Sequence, residues 1–232
     1  MRAIPSTPPP ISPPYNGGMT NGVMIADTAE PFALALTDLV RERRSVRAFG
    51  DQSISRQTVA ELLRDVIWAP SPHNSQPWRF TALFEAGDKQ RLADAMADQL
   101  ASELRADGLP AEIIERQTGR SRERISTAPV VLLCSLQGDG LVAYPDQRRN
   151  HLEWQMAVQS VGAALQTLFL LAAQRGIGAC WMAAPMYCPE VVRGVLDLPA
   201  EFVPQALVLL GYPAGPGKVR ERRPFEQVVD LR

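Results

Sequence analysis

The sequence predicts an α+β fold, a sheet sandwiched by helices, in one domain behind a short N-terminal arm. Three observations carry that prediction. Runs rich in β-branched and apolar residues are interspersed with segments of helical period. The helical segments are long and dominate the chain, and no internal repeat divides it. At 232 residues and 46% hydrophobic, the chain can build one sizeable core.

The elements follow in order. Residues 1–30 are rich in Pro, Gly, Thr and Asn and read as a flexible or polyproline-like arm; the domain runs from 31 to 232. "FALALTDLVRERR" (32–44) reads as a helix and "SVRAFGDQSIS" as a polar connector. In the next helix Val59, Leu62, Leu63, Val66 and Ile67 form one apolar face, with Ser55 as N-cap and Pro70 as the stop. "WRFTALFEA" (78–86) reads as a strand. Residues 88–108 read as a helix solvated on one side, and 110–127 as another, broken at Gly119. "APVVLLCSL" is a buried strand and residues 137–150 are a loop. The helix from His151 to Arg175 is apolar almost all round, which predicts burial in the core or in a subunit interface, and Gly176 closes it. A strand and loop (177–186), a short helix (188–199), a strand (203–213) and a basic, then amphipathic, tail complete the domain.

Composition excludes several classes of function. A net charge of −1 and a pI of about 6.2 give no global basic field for nucleic acid or an anionic membrane. No run of 18 apolar residues occurs, so no transmembrane helix is expected, and the N-terminus lacks the apolar stretch of a signal peptide. Cys134, Cys180 and Cys188 show no CxxC spacing and predict free thiols in a reducing compartment, the cytoplasm. His73 and His151, the only histidines, are too far apart in sequence to suggest a metal site.

Three segments are candidates for chemistry. "RERRSVRAF" brings Arg41, Arg43, Arg44, Ser45 and Arg47 to a helix end, where they can clamp a phosphate or simply complement the helix dipole in solvent. "APSPHNSQPW" fixes its backbone with Pro70, Pro72 and Pro77 and presents Ser71, His73, Asn74 and Gln76. A rigid polar loop of this kind suits a planar heterocycle with edge groups; alternatively its side chains satisfy nearby backbone. "KVRERRPF" adds Lys218, Arg220, Arg222 and Arg223, either a second phosphate clamp or a solvated face. No dinucleotide fingerprint, P-loop or nucleophile elbow is present.

Together, "RRSVRAF", "WAPSPHNSQPWRF", "GIGACWM", "LGYP" and the basic "RERRP" resemble, in order and spacing, the FMN-dependent nitroreductases. The resemblance implies a central, mainly antiparallel sheet flanked by helices, with the long helix at the core of a homodimer. It implies FMN at the dimer interface, with no side-chain nucleophile. Arg43, Arg44, Ser45 and Arg47 match the family's phosphate and ring-edge binders, and Arg220 and Arg222 match its C-terminal clamp. Pro70, Ser71, Pro72, His73 and Asn74 match the loop beside the isoalloxazine, with His73 a candidate general acid. Trp181, Met182 and Ala183 match the segment whose backbone approaches flavin N5; its neutral side chains replace an acidic residue of the enteric-type enzymes. The implied reaction is ping-pong hydride transfer from NAD(P)H through FMN to a nitroaromatic, quinone or enone. The stretch 143–166 is similar to the nitroreductase-like C-terminal domain of the coenzyme F-420 γ-glutamyl ligase, which suggests a dehydro precursor of that coenzyme as acceptor. The alternatives are an oxygen-using flavin enzyme similar to dimethylbenzimidazole synthase and a non-enzymatic flavin binder.

Overall fold

A computed structural model describes the backbone of residues 29–232 and side chains from Leu36 onward. The chain divides between Asp38 and Leu39, inside α1 (Ala29–Glu42), and the architecture below is that of the unit from Leu39 to Arg232. The expected arm, residues 1–30, lies outside the described residues except at its last two.

The sheet has four strands, β1 (Trp78–Leu83), β2 (Val130–Leu136), β3 (Gly178–Met182) and β4 (Val203–Gly211). Their order is β1-β2-β4-β3 and every neighbouring pair is antiparallel. The two central strands are buried on both faces, which explains why "VVLLCSL" reads as one continuous apolar run. On one face Val130, Leu132 and Leu136 join Val208 and Leu210 beneath α2 (Arg56–Val66) and α5 (Gln147–Gln174). On the other, Val131, Leu133, Leu207 and Leu209 meet Leu92 and Met96 of α3 (Ala86–Ala106), Ile125 of α4 (Ala111–Thr127) and Val192 of α6 (Pro189–Val195). Each fully buried leucine in these layers contributes roughly 2 kcal/mol of transfer free energy.

Local signals place the helix ends. The Ser55 side chain accepts the Thr58 N–H at 3.0 Å and caps α2. Val59, Leu62 and Val66 are buried as the periodicity predicts, whereas Ile67 becomes the C-cap and is exposed. Gly119 does not break α4: buried Ile114, Thr118 and Ile125 hold the helix on either side, which outweighs the ~1 kcal/mol helical cost of one glycine. α5 starts at Gln147, four residues earlier than His151, because Asp146 caps it by accepting the Arg149 N–H at 2.9 Å. That bond is the main reason the Asp146 carboxyl titrates below its ordinary value. Gly176, at φ 69°, ends α5 in the left-handed conformation. By length and composition α5 could cross a membrane. Here Val161, Leu165 and Leu168 instead anchor one of its faces in the core.

Candidate cofactor site

The first arginine cluster is positioned by the edge of the sheet. After α1 the chain runs beside β3: Val46 N–H donates to the Ala179 carbonyl at 2.9 Å, and Ser45 forms a parallel bridge with Ala179. The approach is so close that a Cβ on Gly178 would meet Val46 at 2.8 Å. Beyond β4 the chain turns back along the same segment. Gly50 N–H donates to Tyr212, Ala214 N–H donates to Ala48, and Phe49 bridges Pro213. This return carries residues 214–222 onto the first cluster, where Gly217 packs against the stem of Arg44.

The result is a cleft of about 1200 Å³. Arg41, Arg43, Arg44, Ser45 and Arg47 line one side, and Lys218, Arg220 and Arg222 the other. α4 adds Arg124, which the sequence reading missed because nothing in a charged helix singles it out. No Asp or Glu lines this cleft. Among the described residues none of these cations lies within 4 Å of a carboxylate, unlike Arg56, Arg79 or Arg122. Their intramolecular bonds are to main-chain carbonyls: Arg44 Nη1 donates to Arg43 O at 3.0 Å and to Arg41 O, and Arg222 Nη1 to Arg220 O at 3.3 Å. Carbonyl bonds steer a guanidinium without neutralising it, so the cleft keeps an uncompensated positive charge.

The end of β3 adjoins this cleft. The Arg43 guanidinium lies over the Phe169 ring at 5.8 Å, and Phe169 meets the half-exposed Trp181 ring at 6.2 Å. Met182 and Ala183 continue the strand into a 3-10 turn (Ala184–Tyr187). Cys180 is buried; burial pushes its thiol up, and the charges of Arg47 and Arg124 partly oppose that shift. Burial likewise pushes Cys134 up to about 12 and Cys188 to about 11, so all three thiols stay protonated near neutrality.

The proline-rich loop is strained. His73, Asn74 and Gln76 all have positive φ, at 53°, 53° and 45°. Ser71 Oγ accepts the Gln76 N–H at 3.0 Å, and Ser75 N–H donates to Pro72 at 2.9 Å. Ser71 thus serves the loop's own backbone, while His73 and Asn74 remain exposed. His73 Nε2 lies 3.8 Å from Oε1 of Glu153, a buried residue of α5.

Loop and arginine cleft do not meet within the chain. Trp78, which ends the loop, pairs through Leu136 with Val203 of β4; Ser45 pairs through Ala179 with Leu210. The two positions are four strand spacings apart across the sheet and seven residues (210 minus 203) apart along it, a separation of roughly 30 Å. The structure therefore brings Arg43, Arg44, Ser45, Arg47, Arg220 and Arg222 together beside Trp181. It sets Pro70, Ser71, Pro72, His73 and Asn74 at the opposite corner.

Comparison with known proteins decides the family. Residues 40–212 match the family model described as "Nitroreductase family". The chain belongs to the nitroreductase family. That membership makes it an oxidoreductase, and FMN is the cofactor usual to the family. The chain is 33% identical, over 86% of its length and 89% of the relative's, to 5,6-dimethylbenzimidazole synthase of Rhodospirillum rubrum. It is 27% identical, over 81% of its length and 91% of the relative's, to an NADH dehydrogenase of Thermus thermophilus. Among solved nitroreductase folds, it resembles a BluB-like flavoprotein of Clostridium difficile 630 with TM-score 0.70 at 23% identity, over 84% of this chain and 98% of that one. It also resembles a Desulfovibrio desulfuricans protein described as a nitroreductase in complex with FMN, with TM-score 0.65 at 24% identity, over 85% and 96% of the two chains.

Proposed function

We propose that the protein is an FMN-dependent NAD(P)H oxidoreductase whose arginine cleft holds the flavin phosphate. The observation that carries this reading is the carboxylate-free cleft at the end of β3. A phosphate monoester brings about −1.5 to −2 charges and three acceptor oxygens, which matches guanidiniums held in place by carbonyls. When bound, FMN supplies hydride transfer at N5 between a nicotinamide donor and a conjugated electrophile. Arg43, Arg44, Arg47, Arg220 and Arg222 bind and orient the phosphate, with Ser45 as a neutral donor. Trp181, Met182 and Ala183 border the ring, and the neutral side chains there leave the backbone as the polar partner.

The second half of the site comes, on this reading, from a second copy of the chain. A separation of roughly 30 Å is more than one flavin mononucleotide reaches, so the loop 70–74 of one subunit completes the cleft of the other. Exposed Trp68, 87% accessible beside the loop, and the outward face of α5 support such an interface. Three buried free thiols support a cytoplasmic address. A dehydro precursor of coenzyme F-420 remains an acceptor of the right type, supported by the sequence of the stretch 143–166.

The 33% identity to dimethylbenzimidazole synthase favours a second reading, in which reduced flavin is spent with oxygen. The visible spectrum before and after anaerobic NADH or NADPH separates the two. A yellow protein that bleaches and returns intact with an added quinone supports the first. Oxygen uptake with loss of the bound flavin supports the second. A colourless protein that refuses added FMN sinks both. Arg43→Ala and Arg220→Ala each weaken FMN binding about tenfold or more at nearly unchanged Tm, and full flavin in both purified variants overturns the phosphate assignment.

A further inference from the structure

A second cleft, of about 870 Å³, lies on the other side of the segment 47–54, and its size is that of small-molecule sites. It shares Arg47, Ala48 and Arg124 with the first, so the two clefts are neighbours. Its own walls differ in chemistry. Phe49, Ile54 and Phe84 give it an apolar side; Arg56, packed over the Phe84 ring at 4.5 Å, fixes that ring from the outside. Arg120 stands one helical turn from Arg124 on α4 and points a second guanidinium at the same cleft. Neither arginine has a carboxylate within 4 Å among the described residues, although Glu123 and Asp51 both line the cleft. Gln52 and Ser53 add neutral donors and acceptors.

An aromatic wall, an arginine pair, two acceptor carboxylates and an amide are the groups that recognise, respectively, a base, a phosphate, the hydroxyls of a sugar and a base edge. We infer that this cleft receives the adenylate half of the pyridine nucleotide donor, with its base against Phe49 and Phe84 and its phosphates between Arg120 and Arg124. The inference rests on the proposed NAD(P)H reaction and adds where the non-reacting half of the donor sits. Charge also supports it. Arg47 and Arg124 belong to a cleft with eight cations and no acid, more than one flavin phosphate neutralises, and a second anion alongside offsets the surplus.

The test uses flavin-loaded protein with 5′-AMP as the probe, and Arg120→Ala and Phe84→Leu as variants. Neither residue lines the flavin cleft. AMP is expected to bind wild type competitively with NADH, and each variant to weaken AMP about tenfold and raise the KM for NADH in step. Flavin content, read from the spectrum, stays at the wild-type level. Adenosine without phosphate is expected to bind weakly and to be indifferent to Arg120. If AMP fails to compete with NADH, or competes equally well in both variants, the inference is overturned. AMP binding that depends on Arg120 while the KM for NADH does not move assigns the cleft to a free nucleotide and overturns the donor assignment. Failure of FMN itself to bind is read separately by the spectrum and counts against the flavin reading, not this one.

Discussion

Gly217 stands where any side chain would collide with Arg44: a Cβ there would lie 2.5 Å from the arginine's own Cβ. Because backbone and stem cannot both stay, Gly217→Ala pushes the 214–222 return away from the first arginine cluster and opens the anion site. The expected result is roughly tenfold weaker FMN binding, the scale of one lost charge-assisted hydrogen bond. Tm should barely change, since the segment is surface chain; a large fall in Tm with intact FMN affinity would contradict this account. Single residues were also where the sequence was least informative. Arg43 and Arg220 could be named from motifs, but Arg124 has no motif, and only the packing of α4 against the sheet brings it to the cleft. Nothing in the basic tail singles out Gly217, and its role appears only through the distance to Arg44.

At the scale of elements, local chemistry was legible wherever a cap or a period decided the outcome. Ser55 was readable as the cap of α2, and its replacement by Ala is expected to cost about 1 kcal/mol in denaturant unfolding while leaving flavin binding intact. An unchanged midpoint would show that the Thr58 N–H finds another acceptor. The start of α5 was not legible, because "DQRRN" carries no apolar period and the helix's first turn is solvated; only the Asp146 bond marks the start. α4 was read as interrupted because propensity was weighed without the buried contacts on both sides of Gly119. The loop 70–77 was recognised as unusual from its three prolines, yet its positive φ angles at His73, Asn74 and Gln76 belong to the folded chain alone.

For the whole molecule, the layered α+β architecture was readable from apolar runs and helical periods, since β2 and β4 are buried on both faces. A dimer-interface flavin was implied by the resemblance, but the split between the loop and the arginine cleft within one chain was not readable, because motif order says nothing about which corner of a sheet a segment occupies. That split yields a test of the assembly. Chains carrying Arg43→Ala have an impaired cleft and an intact loop; chains carrying Asn74→Ala have the reverse. Mixed and allowed to exchange subunits, they should recover about one working flavin site in four, because half of the pairs are mixed and each mixed pair contains one wild-type cleft facing one wild-type loop. No recovery, with exchange verified by mass, means that each chain builds its site alone.

The return of residues 214–222 onto the first arginines has a consequence for the life of the protein. The cations on the two sides are separated in sequence by the entire sheet, and among themselves they repel. On the proposed function, a bound flavin phosphate ties the first and last parts of the unit together and favours the folded form as its concentration rises above its dissociation constant. Without it, Lys218, Arg220, Arg222 and Arg223 form an exposed basic strip of the kind that proteases cut first. On this reading, limited trypsin digestion should cut between residues 218 and 223 faster in flavin-free than in flavin-loaded protein, and equal rates would show that the bound phosphate does not hold this segment.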